Sequence, residues 1–295
     1  MSQDHTTTST RASATLKRNL PVIGAATRNI IIFIAVLSIP LTAAQALGLT
    51  ATETSSWITV LYGLPALLSL ILALRYRQPL LLTGNLFVII FIRGLDGQVL
   101  YPELIGAAIL AGAAVFLVGI LGLTERLANL IPLPIVFGLL AGAVLPFISD
   151  IFTVFGQAPV MVGATVFVYF SSRATLGRRL PAILPALVTG VVVAAVSGQF
   201  APISEPLALT VPQVTLPVFA LPTIITATPV FVVLMTLQAN LPSLRFLQGQ
   251  EYDPPERTID VVSGLGTMLG AFLGPIGGSL ALPATSLVAS PEAGE

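Results

Sequence analysis

The side chains able to do chemistry in this sequence are few and of one kind. There is no cysteine and one histidine, His5, so a thiolate nucleophile, a histidine-based triad and a Cys/His metal site are all ruled out. The long apolar runs carry instead a set of neutral hydrogen-bonding groups: Gln45, Thr83, Asn85, Gln238, Asn240, Thr285 and Ser286. Amides and hydroxyls of this kind orient a ligand but supply no general acid or base near neutral pH. The chemistry on offer is recognition. An enzyme is not expected, and neither a cofactor nor a metal is required.

The elements that must position these groups follow from composition. Of the 295 residues 55% are hydrophobic and only 9% charged, with a mean hydropathy of +0.95. Soluble domains carry about 25% charged residues, and a surface this poor in charge would aggregate in water. That excludes soluble, disordered, nucleic-acid-binding and disulfide-scaffold classes and leaves a polytopic all-α membrane protein, whose first partner is the lipid bilayer. Residues 1–27 are polar, Ser/Thr-rich and without a signal-peptide h-region, and read as a disordered cytosolic tail. Candidate spans follow at 29–48, 57–74, 78–92, 104–123, 127–148, 158–172, 180–198, 222–241, 261–274 and 275–290.

Basic residues set the orientation. With the N-terminus cytoplasmic, Arg11, Lys17, Arg18 and Arg28, then Arg75 and Arg77, Arg126, Arg173 with Arg178 and Arg179, and Arg245 and Arg257 all fall inside. Arg93, beside Asp96, is the one cation outside and reads as an interfacial anchor. Trp57, Tyr76 and Tyr101 fall at span ends, where amphipathic rings favour the interface. Gly138 and Gly142, and Gly266, Gly270 and Gly274, predict close helix packing. No Asp, Glu, Lys or Arg falls near the middle of any span.

Two segments do not fit simple helices. As a helix, residues 78–92 would cover only ~22 Å of a core about 30 Å thick. An extended Gln78–Leu82 followed by a helix from Thr83 would reach about 31 Å, with Pro79 starting the extended run and Thr83-Gly84-Asn85 offering a cap. Residues 79–88 can be laid on 279–288, where Pro283 predicts a helix start after an extended Leu282. The two segments cross in opposite directions. Inverted repeats with broken helices at the midplane are a transporter signature, with half-helix N-termini turned to anionic groups.

On these residues the chain resembles a known family. Met235-Thr-Leu-Gln-Ala-Asn-Leu-Pro-Ser, Tyr252-Asp-Pro-Pro, Gly274-Pro-Ile-Gly-Gly and Ser290-Pro-Glu-Ala, with Ile131-Pro-Leu-Pro and Leu140-Ala-Gly, are similar to the benzoate/proton symporters. More distantly they resemble nucleobase and sulfate permeases. The resemblance implies an inverted-repeat fold of seven plus seven spans, with short extended segments in spans 3 and 10. It divides the chain into core residues 28–126 (spans 1–4), gate residues 127–200 (spans 5–7) and core residues 222–292 (spans 8–10). Spans 11–14 would be absent from a chain ending at Glu295, which reads as truncated or, alternatively, as a natural ten-span variant.

Carried over residue by residue, the substrate site would comprise Thr83, Gly84 and Asn85, then Gln238 and Asn240, then Ala284, Thr285 and Ser286, with Gln45 as a secondary candidate. Phe87 and Phe231 would offer apolar walls. The expected function is secondary active transport of a small anion, an aromatic or other organic carboxylate, by elevator-type alternating access in the inner membrane. The family resemblance names protons as the coupling ion, but with no ionisable group inside a span the residues themselves leave that coupling unsupported; a homodimer would form through the gate. An anion channel or a sulfate-type inorganic-anion permease is the alternative. The chain departs from the family where Ala239 separates Gln238 from Asn240 and where Thr83-Gly84-Asn85 replaces the usual Ser-Thr-Pro-Gly, and the acids that nucleobase permeases carry in spans 8 and 10 have no match.

Overall fold

The computed structural model describes Ile30, Ile34 and residues 36–95, 97–176, 182–199 and 211–289. The N-terminal tail, Asp96, the Arg178–Arg179 pair and the Ser290-Pro-Glu-Ala run lie outside the described residues. The described chain is mostly helical. In chain order it comprises α1 (Ser38–Ala46), α2 (Ala51–Tyr76), β1 (Leu82–Gly84), α3 (Leu86–Gly94), α4 (Tyr101–Leu121), α5 (Thr124–Leu130), α6 (Leu133–Gln157), α7 (Pro159–Leu176) and α8 (Ile183–Val196). Then come α9 (Leu221–Val233), a π-helical stretch (Leu234–Asn240), α10 (Leu241–Gly249), α11 (Glu256–Gly270), a 3-10 turn (Ala271–Leu273), β2 (Gly278–Leu280) and α12 (Leu282–Val288).

Local chemistry sets the ends. A capping box opens α2: the Thr50 hydroxyl accepts from Glu53 N–H, and the Glu53 carboxylate accepts from Thr50 N–H at 2.9 Å. Gly122, at φ +64°, closes α4 in the left-handed conformation. Among the described residues, three helices (Ala51–Tyr76, Tyr101–Leu121 and Leu221–Gly249) are long and apolar enough to cross a membrane. The expected span at 127–148 is instead two helices, bent by 86° at the break between Leu130 and Leu133, where Pro132 cannot donate to a continuing helix. Phe152 and Phe167 on α6 and α7 are about three-quarters exposed, as lipid-facing side chains would be.

The tightest helix contact joins α4 to α11. A Cβ on Gly112 would stand 2.8 Å from the Gly264 carbonyl oxygen, and one on Gly264 would stand 2.4 Å from Phe116 N. Backbones that close require glycine. Gly266 and Gly270 face Leu68, Leu64 and Val60 of α2, as close packing predicts. Gly138 and Gly142 do not serve that end. A Cβ there would meet nothing within 4 Å, and both line a cleft of about 260 Å³ with Phe91 and Val230. Trp57 and Tyr101 are also not interface anchors. Both are buried, edge to face at 6.2 Å, and they donate to the carbonyls of Pro275 and Leu273 ahead of β2.

Candidate functional site

The two irregular segments meet. β1 and β2 pair antiparallel, with Leu82 opposite Leu280, Thr83 opposite Ser279 and Gly84 opposite Gly278. Asn85 N–H adds bonds to the carbonyls of Ile276 and Gly277, and Ala281 N–H to that of Leu81. Pairing within the protein is what extended backbone in a membrane requires. Each strand is also held by a hydroxyl from a flanking helix. Ser69 of α2 accepts from Leu82 N–H and donates to the Leu82 carbonyl, while Thr267 of α11 accepts from Gly278 N–H. Gly84 lets β1 lie against α2, since a Cβ there would fall 2.2 Å from Leu61 Cδ1 and 3.0 Å from its carbonyl oxygen.

The half-helices start where the structure, not the residue-for-residue overlay, puts them. α3 begins at Leu86 with Asn85 as its cap, not at Thr83, and α12 begins at Leu282, with Pro283 second rather than first. The equivalent positions are therefore Asn85 and Ala281, four residues off the overlay. Its identical leucines were coincidental.

A cavity of about 350 Å³ lies at this crossing. Thr83, Gly84, Asn85, Phe87, Gln238 and Ala284 line it, with residues 279–283 and the apolar side chains of Val36, Leu61 and Ile89. Asn85 is at its wall with every polar atom engaged. Its Oδ1 accepts from Phe87 N–H (2.9 Å) and Val88 N–H (3.2 Å), and its Nδ2 donates to the Leu234 carbonyl (3.0 Å) and Ser279 Oγ (3.1 Å). The free donors expected at this helix start are thus capped by Asn85 itself. The α12 start has no side-chain cap.

The other expected residues divide. Gln238 faces the cavity, and its Oε1 is buried without a partner; Thr285 Oγ1, fully buried behind Ala284, is in the same condition. Ser286 turns back to the Pro283 carbonyl at 2.9 Å. Asn240 lies behind β2, fully buried, and does not line the cavity. Phe231 packs edge to face on Phe91. Gln45 is exposed and belongs to a separate groove between α1 and the start of α2.

Two features were missed by sequence reading. The first is the π-helical stretch, where Leu241 N–H bonds Thr236 O, five residues back. Pro242 has no N–H for the Gln238 carbonyl and its ring would strike it, so an α-helix cannot continue there. π-turns are frequent at functional sites, and Gln-Ala-Asn-Leu-Pro carried the signal. The second is Asp260. The span expected at 261–274 starts at Glu256, which places Asp260 inside the packed helix with no exposed surface. Its Oδ1 accepts from Asn240 Nδ2 at 2.7 Å and its Oδ2 from Thr124 Oγ1 at 2.5 Å. Asn240 also donates to Ser263 Oγ and accepts from Leu280 N–H at 2.7 Å. The spacing of Asp260, Ser263 and Thr267, a single helix face, was the available signal.

Paired broken helices around a polar-edged cavity, within a bundle of apolar helices, define a membrane transporter fold. The chain belongs to the BenE family, benzoate membrane transport protein, whose profile matches residues 18–295. Among curated proteins it is 28% identical to the inner membrane protein YdcO of Escherichia coli over 253 residues, covering 85% of this chain and 64% of YdcO. It is 26% identical to the benzoate membrane transport protein of Acinetobacter baylyi, covering 79% of this chain and 59% of the relative. The chain thus spans about three-fifths of the length of these relatives. Among solved structures, the transmembrane domain of the cyanobacterial bicarbonate transporter BicA superposes with a TM-score of 0.63 at 17% identity, covering 94% of this chain and 78% of that one.

Proposed function

We propose that this protein is a secondary active transporter of a small organic anion, of the aromatic carboxylate class, and not an enzyme. The cavity at the β1–β2 crossing carries the reading. Its volume lies at the lower end of the roughly 300–1,000 Å³ usual for ligand sites, and its walls are mainly apolar around a few polar groups. That composition suits a compact ring bearing one polar head. Gln238 presents an amide, donor and acceptor in one fork, and the uncapped start of α12 presents backbone N–H groups. The names of the family and of the Acinetobacter relative support benzoate as the first ligand to test.

The inverted repeat is supported by a correspondence that reaches past the strands. Ser69 on α2 serves β1 as Thr267 on α11 serves β2, and each strand leads into a half-helix. On this reading residues 28–126 and 222–292 form the moving core and residues 127–200 part of a gate. Substrate crosses by an elevator movement coupled to protons, in the inner membrane, with the N-terminus cytoplasmic and a homodimer formed through the gate. Thr83, Gly84, Gln238 and Ala284 are assigned to the substrate directly, and Asn85, Asn240, Thr285 and Ser286 to the frame behind it. Reconstituted vesicles loaded with unlabelled benzoate should take up labelled benzoate by counterflow that saturates. Uptake that rises linearly with concentration would indicate a channel, and counterflow with sulfate or bicarbonate but not benzoate would refute the carboxylate assignment.

A further inference from the structure

Asp260 is a buried carboxyl that the substrate cavity does not use. Among the described residues no cation pairs with it, and its two oxygens accept only from Asn240 and Thr124. An unpaired carboxylate in a low-dielectric interior is held there at considerable cost, which binding a proton removes. The hydrogen bonds accommodate that change. A proton added to Oδ2 can be donated to Thr124 Oγ1, which reverses that bond, while Oδ1 goes on accepting from Asn240. Asn240 in turn holds Leu280 N–H with its own oxygen, and Leu280 lines the cavity. A single amide therefore stands between the carboxyl and the site.

We propose that Asp260 is the proton-binding group whose charge sets anion affinity in the cavity, with Asn240 as the positioning residue between them. The proposal rests on the anion reading above and adds to it the residue that responds to pH. Ionised, Asp260 repels an anion across β2; with one proton taken from water onto Oδ2 the repulsion is gone, and proton and anion enter as a neutral pair. No bond other than O–H forms or breaks. By linkage each ligand strengthens the other equally.

The surrounding titratable and charged groups are few. α11 itself carries Glu256 and Arg257 toward its start, and α4 carries Tyr101 and Glu103 at its far end. α5 carries Glu125 and Arg126, and α10 carries Arg245, which pairs with Glu125. α2 carries Glu53, Tyr62, Arg75 and Tyr76, the last bonded to Thr258. α9, the π stretch, the 3-10 turn, β2 and α12 carry none.

The test is calorimetric titration of benzoate into the purified protein between about pH 5.5 and about pH 8, above the ligand's own carboxyl range near 4. Wild-type affinity should fall as pH rises, by up to about tenfold per unit for one linked proton. Asp260→Asn should bind at the wild-type low-pH affinity throughout, and Asp260→Glu should restore a slope. If Asp260→Asn does not fold, Thr124→Val keeps the carboxyl but removes its hydroxyl partner, and should move the midpoint of the wild-type pH curve. A flat wild-type curve, an Asp260→Asn curve with wild-type slope, or an unmoved Thr124→Val midpoint each overturns the assignment. Absence of benzoate binding at every pH refutes instead the anion reading on which it stands.

Discussion

Asn85 offers the sharpest separation between a ligand-binding residue and a framing one. Its side chain is buried and fills four hydrogen-bond positions: two N–H groups at the start of α3, the Leu234 carbonyl and the Ser279 hydroxyl. Asn85→Ala removes a helix cap worth about 1 kcal/mol. It also removes the hydrogen bonds that Asn85 donates to the Leu234 carbonyl, which keeps its partner within the π-helical stretch, and to the Ser279 hydroxyl oxygen, at ~0.5–1.5 kcal/mol each. The expected loss is about 2–4 kcal/mol, or roughly 5–10 °C in melting temperature by the behaviour of soluble domains of comparable size. Asn85→Asp keeps the cap but turns an oxygen toward the Leu234 carbonyl, so it should lose stability as well. The assay is thermal unfolding in detergent followed by tryptophan fluorescence. Trp57 is the only tryptophan, is fully buried, and donates its indole N–H to the Pro275 carbonyl at 2.9 Å, beside the β1–β2 crossing. An Asn85→Ala protein that melts within about 1 °C of wild type would refute the framing role and return Asn85 to the ligand.

Gly84→Val should prevent β1 from docking on α2, because even a Cβ would sit 2.2 Å from Leu61 Cδ1 and 3.0 Å from backbone; the expected result is little folded protein, read as loss of the monodisperse peak on size-exclusion chromatography. Pro242→Ala permits an N–H bond to the Gln238 carbonyl and should relax the π stretch toward an α-helix, turning Gln238 out of place; benzoate affinity should fall about tenfold, or ~1.4 kcal/mol, with the melting temperature kept. Arg245→Ala breaks an ion pair whose side chains are 56% and 64% exposed, so unfolding should shift by less than ~1 kcal/mol. Maleimide labelling in intact cells should reach Gln98→Cys but not Gln250→Cys, both exposed positions; the opposite pattern would invert the orientation.

The broken segments were legible in the sequence because a physical length constraint exposed them. Fifteen residues between Arg77 and Arg93 cannot cross a bilayer as a helix, and the structure answers with β1 followed by α3. The exact helix starts were not legible. Thr83 and Asn85 are both competent caps, and only the pairing of β1 with β2, set by residues two hundred positions away, decides that Asn85 takes the role. The aromatic residues misled for a related reason. Trp57 and Tyr101 fall at helix ends in the sequence, but the Gly274-Pro275 turn folds back over them, and a Cβ on Gly274 would fall 2.3 Å from the Trp57 ring. A contact from a distant turn leaves no periodic trace.

Asp260 shows where charge-based reading of membrane sequences fails. Treating every charged residue as a boundary places Glu256, Arg257 and Asp260 together outside the bilayer, and the last of these is then lost as part of a polar loop. The helix does not respect that boundary. Glu256 stands at the helix start and accepts from Gln248 Nε2 at 2.7 Å, and Arg257 is exposed. One turn after Glu256, on the same side, the face formed by Ile259, Asp260, Ser263, Gly264 and Thr267 is buried against α4, Asn240 and β2. Glycine at 264 and at 112 brings α11 close enough to α4 for this, and Gly119 continues the contact: a Cβ there would lie 2.9 Å from that of Asp260. Small residues and a buried acid on one face are then parts of a single arrangement. The glycines bring the backbones together, the close approach excludes water and lipid from the carboxyl, and the carboxyl is left with Asn240 and Thr124 as its only partners among the described residues. A polar residue at i, followed by small or hydroxyl residues at i+3, i+4 and i+7, is therefore better read as an inward-facing stripe than as the end of a span.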